Sequence, residues 1–152
     1  MAFNHLAIAV RDLEANHRFW TEAMGFRLAD AFDVPTGVAE GWARHVFYDT
    51  GDGTQLSLLH LHDESIPEFD PALSTGLGLP GWVNHLAFDA EDADALDRAM
   101  ARWHDHGLDV IRMDHGRSLS IYAEDPNGNT VEFSFDQGVY AKAREVWGGD
   151  GG

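Results

Sequence analysis

Two short stretches decide the reading of this chain: Asn4-His5-Leu6-Ala7 and, 80 residues further on, Asn84-His85-Leu86-Ala87. Each spells NHLA inside a short apolar run, which reads as a β-strand. Each is followed by an acidic segment of helical periodicity, Arg11 to Met24 and Glu91 to His106. Leu13, Phe19, Trp20 and Met24 share a face of the first helix, and Leu96, Met100 and Trp103 share a face of the second. Gly25 and Gly107 fall where helix C-caps are expected. Further on, Asp52-Gly53 precedes Gln55-Leu56-Ser57, and Asn127-Gly128 precedes Glu132-Phe133-Ser134. Both read as a hairpin turn leading into a strand. With one residue of gap, Gln55 falls opposite Glu132.

A repeat that keeps strand, helix and turn–strand in order marks a duplication. The chain reads as one α+β domain over 1–152, in which each half supplies one strand, a helix and about three more strands. Module 1 covers about 3–62 and module 2 about 82–136. The connector 63–81 holds three Pro and three Gly. The C-terminal segment is 137–152, with a short helix expected from Gly138 to Trp147 and a loose end beyond it.

Composition narrows the function. At 152 residues, 44% hydrophobic and 11% aromatic, the chain can bury a core. It has no Cys, so disulfides and thiolate metal sites are excluded and a reducing cytoplasm is the expected compartment. No apolar run is long enough to cross a bilayer, and the first residues lack the features of a signal peptide. The net charge of −16 repels phosphate backbones and anionic membranes, so neither nucleic acid nor membrane is an expected partner.

Nine His residues raise the question of convergence. If the two NHLA strands are equivalent, His5 and His85 occupy equivalent positions, and a pseudo-twofold axis would aim both at one cavity. Glu132, set in the apolar strand Val131-Glu132-Phe133, is costly to bury unless paired. Two imidazoles and one carboxylate form a facial triad for Fe(II), Mn(II) or another first-row divalent ion, with positions left open for substrate. Gln55 is either a fourth ligand, which suits Ni(II) or Zn(II), or a neighbour of the ligands.

Tyr122-Ala123-Glu124-Asp125-Pro126-Asn127-Gly128-Asn129-Thr130-Val131-Glu132 resembles the Y-x-x-D-P-x-G-N-x-x-E ending of the vicinal oxygen chelate superfamily. That superfamily includes glyoxalase I, bleomycin and fosfomycin resistance proteins, methylmalonyl-CoA epimerase and the type I extradiol dioxygenases. The resemblance runs from Asn4 to about Phe135. It implies two tandem βαβββ modules forming one cupped, barrel-like mixed sheet around a metal, with helices outside. Asp114-His115-Gly116-Arg117-Ser118-Leu119-Ser120-Ile121-Tyr122 is similar to the D-H-G-x-S-x-x-x-Y stretch of catechol 2,3-dioxygenase-like proteins. By that resemblance His115 and Tyr122 lie beside the metal and act on a bound catechol and O₂. One double module, rather than two, matches the small single-domain extradiol enzymes, including those acting on L-DOPA.

The resemblance also implies an acid–base His near the end of the first half. His60 is carried for that role, although strict alternation turns it away from Gln55 unless a bulge intervenes. Phe47, Tyr48, Trp42 and Trp82 are expected either as pocket walls or as core. The expectation is an Fe(II)-dependent extradiol dioxygenase, with a homodimer among its assembly states. A glyoxalase-like isomerase or lyase and a metal-free drug-binding resistance protein are the alternatives.

Overall fold

A computed structural model of the chain describes residues 3–37 and 40–136. The expected segment 137–152, with its short helix, lies outside the described residues. Strand β1 (His5–Val10) leads into helix α1 (Leu13–Arg18), which widens into a π-turn over Phe19–Ala23. Strands β2 (Arg27–Pro35), β3 (Trp42–Asp49) and β4 (Gln55–His62) complete the first module. A 3₁₀ turn (Thr75–Leu77) interrupts the connector. Strand β5 (Leu86–Asp89), helix α2 (Ala93–Asp105), and strands β6 (Ile111–Asp114), β7 (Ser118–Glu124) and β8 (Thr130–Asp136) form the second.

The duplication is real in three dimensions. Both sheets are mixed, with orders β1-β4-β3-β2 and β5-β8-β7-β6, and in each the first strand runs parallel to the last. The strands form two four-stranded curved sheets, and among the described residues no ladder joins β1 to β5. Among the described residues no helix is long and apolar enough to cross a membrane.

Helix starts follow the acidic caps. The Asp12 carboxylate accepts from Ala15 N at 2.9 Å, and that of Asp92 accepts from Ala95 N at 2.7 Å. The segment expected as one helix from Arg11 to Met24 is α-helical only to Arg18. Past that point Met24 N donates to Phe19 O, five residues back. The wider turn lets Phe19, Trp20 and Ala23 all point inward.

Alternation along each strand gives every sheet one apolar and one polar face. Ile8, Val10, Val46, Tyr48, Leu56 and Leu58 supply the apolar face of the first sheet. Leu86, Ile121, Ala123, Val131 and Phe133 supply that of the second. Both faces belong to one cluster. Phe26 meets Phe88 edge-on at 4.9 Å, Trp20 lies 6.0 Å from Phe88, and Trp103 lies 5.5 Å from Phe133. The π-turn and helix α2 thus share one cluster with both apolar faces. Arg102 of α2 seals it, its Nε donating to Ala23 O at 2.6 Å and a terminal nitrogen to Met24 O at 3.1 Å.

The Asp125–Asn129 turn is a second seam. The Asp125 carboxylate accepts from Asn127 N and Asn129 N, both at 2.8 Å, and from Asn129 Nδ2 at 3.0 Å. Gly128 takes a φ of +82°, a conformation that side chains with a Cβ rarely adopt, next to Ala72 of the connector. Asn129 Oδ1 accepts from Leu73 N at 2.7 Å, and Asn16 Nδ2 of α1 donates to Asn127 Oδ1 at 3.2 Å. The motif therefore ties helix α1, the connector and the start of β8 together. Asn129→Ala removes the acceptor of the half-buried Leu73 N–H and one of the three donors to the Asp125 carboxylate. It is expected to lower the urea midpoint by an amount equivalent to about 2–3 kcal/mol, with an unchanged slope.

Candidate metal centre

The polar face of the second sheet carries the denser constellation. Glu132 lies in β8 opposite Tyr122 of β7 and beside Ala87 of β5. It is only 7% exposed, so its carboxylate needs partners. Tyr122 Oη donates to Glu132 Oε1 at 3.0 Å, and His85 Nε2 stands 3.1 Å from Oε2. His115 Nε2 lies 2.9 Å from Tyr122 Oη. Since the tyrosine hydrogen is committed to the carboxylate, that contact runs from His115 Nε2–H to the phenol oxygen.

The local sequence builds this arrangement. Asp114 Oδ1 accepts from Gly116 N at 2.7 Å, and Gly116 takes a φ of +75°. The tight D-H-G turn between β6 and β7 holds His115 over Tyr122. Burial above all, with the Glu132 charge behind it, raises the Tyr122 hydroxyl above the usual phenol value. It is a donor at neutral pH.

His85 decides whether a cation fits. Its Nδ1 lies 3.0 Å from Trp82 O, which can only accept, so Nδ1 carries the proton. In the neutral ring Nε2 is then a lone pair facing a carboxylate oxygen at 3.1 Å. Two electron-pair donors in that position hold a cation between them, a proton or a metal ion. A backbone carbonyl fixing one ring nitrogen while the other points at a carboxylate is the orientation of a metal-ligating imidazole.

His5 is prepared in the same way. Its Nδ1 lies 2.6 Å from Asn4 Oδ1, leaving Nε2 uncommitted. It occupies the polar face of the first sheet, 5.7 Å from the Phe47 ring. His45 shares that face and was not anticipated from the sequence. Its Nε2 is 3.0 Å from Ser57 Oγ, and burial, then the neighbouring His5, lowers its pKa. Strict alternation back from Phe47 along β3 was the signal for it.

The residues do not converge within the chain. Among the described residues no three His, Asp or Glu side chains gather to hold an ion. His85, Glu132, Tyr122 and His115 come together, whereas His5 stands apart on the other sheet. A groove of about 750 Å³ separates the start of β1 from β5, with Leu6 and Gln55 on one wall and His85 and Ala87 on the other.

The ladders also correct the alignment of the halves. In the first, Ala7 pairs with Ser57; in the second, the matching Ala87 pairs with Glu132. Ser57, not Gln55, is therefore the structural counterpart of Glu132. Gln55 lies two residues closer to the strand start on the same polar face, beside His5.

His60 takes no part in this site. No bulge interrupts β4, so alternation turns His60 to the opposite side, where it lines a surface pocket with Arg11, Asp12, His17 and Trp42. Its Nδ1 is 3.0 Å from His62 Nε2. Of the aromatic residues considered as walls, Phe47 faces the polar side and Trp82 is exposed. Trp42 stacks on His62 at 3.9 Å, and Tyr48 is fully buried, which pushes its hydroxyl up to about 12.

Replacing Glu132 by Gln removes the charge next to Tyr122 while keeping the shape. The Tyr122 hydroxyl is expected to titrate at lower pH in Glu132→Gln, followed through the tyrosine ring carbon signals by NMR. An unchanged titration would mean that the carboxylate does not act on the phenol.

Comparison with known proteins follows the same lines. Residues 2–133 match the family model described as the Glyoxalase/Bleomycin resistance protein/Dioxygenase superfamily. A catechol-2,3-dioxygenase of Bacillus subtilis is 26% identical over 140 residues, covering 92% of this chain and 41% of that protein. The chain thus spans less than half the length of that relative. A lactoylglutathione lyase of Neisseria meningitidis is 28% identical over 139 residues, covering 88% of this chain and 89% of the lyase. Among solved structures, a glyoxylase/bleomycin resistance protein/dioxygenase domain from Frankia sp. EAN1pec superposes with a TM-score of 0.68 at 18% identity, covering 90% of this chain and 98% of that one.

Proposed function

This chain belongs to the glyoxalase/bleomycin resistance protein/dioxygenase superfamily, and from that premise we propose that it is an Fe(II)-dependent extradiol dioxygenase that opens the ring of a catechol with O₂. The observation that carries the proposal is the hydrogen-bonded chain His115–Tyr122–Glu132 beside His85. It sets a proton-handling pair against the metal-ligating pair, an arrangement suited to a substrate that arrives as a diol and must lose protons.

In this reading His5, His85 and Glu132 are the ligands. Mn(II), Ni(II) and Zn(II) suit the same donors, and Fe(II) is the ion that suits the chemistry. The ferrous ion would supply the electron transfer between aromatic diol and O₂ that no side chain here can provide. Trp82 O and Asn4 Oδ1 hold the imidazoles with Nε2 outward. His115, whose Nε2–H is held by Tyr122, takes the proton given up by a catechol hydroxyl at Nδ1 and returns it to the opened product. Tyr122 is protonated at neutral pH, and with Glu132 engaged by the metal its hydrogen would turn from the carboxylate to the oxygen on which charge develops. One aromatic C–C bond beside the diol breaks and both atoms of O₂ enter the product. Such an iron enzyme fits a reducing cytoplasm, and the substrate class includes L-DOPA-like catechols.

Ser57 favours this reading over a glyoxalase-type lyase. A four-ligand centre needs a strong ligand at the counterpart of Glu132, and a neutral serine hydroxyl stands there, bonded to His45. The lyase remains the second reading, because the Neisseria relative is matched along nearly its whole length.

Anaerobic reconstitution with Fe(II), followed by O₂ uptake with a panel of catechols including L-DOPA, tests the proposal. A yellow ring-opened product is expected, and Tyr122→Phe should lower kcat by about 10²-fold. Absence of product with every catechol, alongside turnover of a glutathione hemithioacetal with Ni(II) or Zn(II), would replace the dioxygenase by the lyase.

A further inference from the structure

We infer that the surface pocket between the start of α1 and the far ends of β3 and β4 binds a small aromatic carboxylate. The inference goes beyond the proposed reaction and does not depend on it. His60, which lines the pocket, lies five residues past Gln55 on β4, about 16 Å along the strand, and on the opposite face of the sheet. A ligand there touches none of the residues proposed to hold the metal.

The pocket, of about 670 Å³, reverses the sign of the chain. Asp and Glu outnumber Lys and Arg by 26 to 10 overall, yet Arg11, Arg44, His17, His60 and His62 gather here against Asp12 and Glu14. Both acids are engaged: Asp12 accepts from Ala15 N at 2.9 Å, and Glu14 accepts from Arg18 at 2.8 Å. The basic residues keep donors to spare. Arg44 holds Asp33 through Nε and one terminal nitrogen, at 2.8 and 2.9 Å, which leaves its other terminal nitrogen to donate. Both partners of that pair are about half exposed, so sharing Arg44 with a second anion costs little. Among the described residues Arg11 makes no ion pair, and its guanidinium lies 5.9 Å from the Phe69 ring. Burial pushes the Tyr48 hydroxyl up to about 12, so it is protonated, and among the described residues its acceptor is His17 Nδ1 at 2.9 Å. In the neutral ring His17 then carries its hydrogen on Nε2, free to donate. Donors without matching acceptors call for an anion.

His60 and His62 add to the pull. Their facing nitrogens, 3.0 Å apart, share one hydrogen. Burial first, then His62, holds His60 below the usual imidazole range, against smaller opposing pulls from the Arg11 backbone and Asp12. Arg44 pushes in the same downward direction, which opposes a metal ion on this pair. A carboxylate seated between the imidazoles and the guanidinium groups relieves that repulsion. The aromatic part of the ligand follows from the wall. Trp42 and His62 lie nearly parallel, 3.9 Å apart with 8° between their planes. Arg44 stands 5.5 Å from the Trp42 ring, and Leu13 adds an apolar edge. A ring carrying a carboxylate meets this wall with its apolar body and the cations with its charge. A hydrated inorganic anion uses only the cations.

Benzoate is the probe, with benzyl alcohol as its neutral analogue and inorganic phosphate as an anion without a ring. Histidine ring signals, followed by NMR on the full chain, locate the binding. Benzoate should shift His17, His60 and His62 together, saturate with a Kd below about 10 mM, and raise the pH at which the His60–His62 pair titrates. Benzyl alcohol and phosphate should each bind about tenfold more weakly or worse. Arg44→Gln should weaken benzoate binding by about tenfold, and Asp33→Asn, which releases Arg44, should strengthen it. Should Arg44→Gln fail to fold, Asp33→Asn decides alone. Full affinity in Arg44→Gln, or unchanged or weaker binding in Asp33→Asn, would overturn the site. So would benzoate that leaves all three histidines unmoved. Benzyl alcohol binding as well as benzoate would overturn the anion, and phosphate binding as well as benzoate would overturn the aromatic acid.

Discussion

The packing of Phe26 and Trp20 against Phe88, and of Trp103 against Phe133, governs everything else in this molecule. The contacts of Trp20 and Phe26 with Phe88, and of Phe26 with Phe133, cross from one half to the other, so neither half closes its own core. Burying Trp20, Phe26, Trp103 and Phe133 is worth about 1.5–3 kcal/mol for each, and a shared interface of this kind fixes the relative direction of the sheets. The same contacts determine where the polar faces point. The position of His5 relative to His85 is thus a consequence of apolar packing, not of any attraction between the histidines.

Duplication supplied two similar halves, and the site uses their differences. Glu132 and Ser57 occupy corresponding places in the ladders, as do Tyr122 and Phe47 opposite them. One half retains a carboxylate with a phenol donor. The other presents a hydroxyl and an aromatic ring beside its histidine. A buried carboxylate with two partners is tolerable, whereas a facing pair of carboxylates would repel. An asymmetric set of three ligands leaves open positions for a substrate, which a symmetric set of four would fill.

Much of this was legible in the sequence. The NHLA repeat, the acidic helix starts and the two Gly-containing turns gave both modules, because period and capping are local properties. The D-P-x-G-N run was legible as a signature, and its physical role is the set of bonds to Asp125 and Leu73. Other features depended on distant parts of the chain. The π-turn at Phe19–Ala23 follows from the demand that Phe19, Trp20 and Ala23 all face a second sheet, which helical periodicity does not reveal. The pairing of Ser57, rather than Gln55, with the place of Glu132 hinges on the length of the turn before β4. A gap placed by matching Leu56-Ser57 with Phe133-Ser134 moved it by two residues and kept the same face. His45 escaped notice because its strand partner, not its neighbours in sequence, gives it meaning. The separation of the two sheets was not legible at all, since no local pattern specifies which way two similar halves turn.

The central claim is that His5 and His85, among nine histidines, are the ones that bind the metal. The surface pair His60 and His62 is the natural competitor, with its ring nitrogens 3.0 Å apart. A Co(II) titration of the wild-type protein, followed through histidine ring nitrogen signals by NMR, separates them. Paramagnetic shifts at His5 and His85 together, complete at one equivalent and ahead of any change at His60 and His62, are the predicted result. Saturation of His60 and His62 first, with His5 and His85 unperturbed, would contradict it.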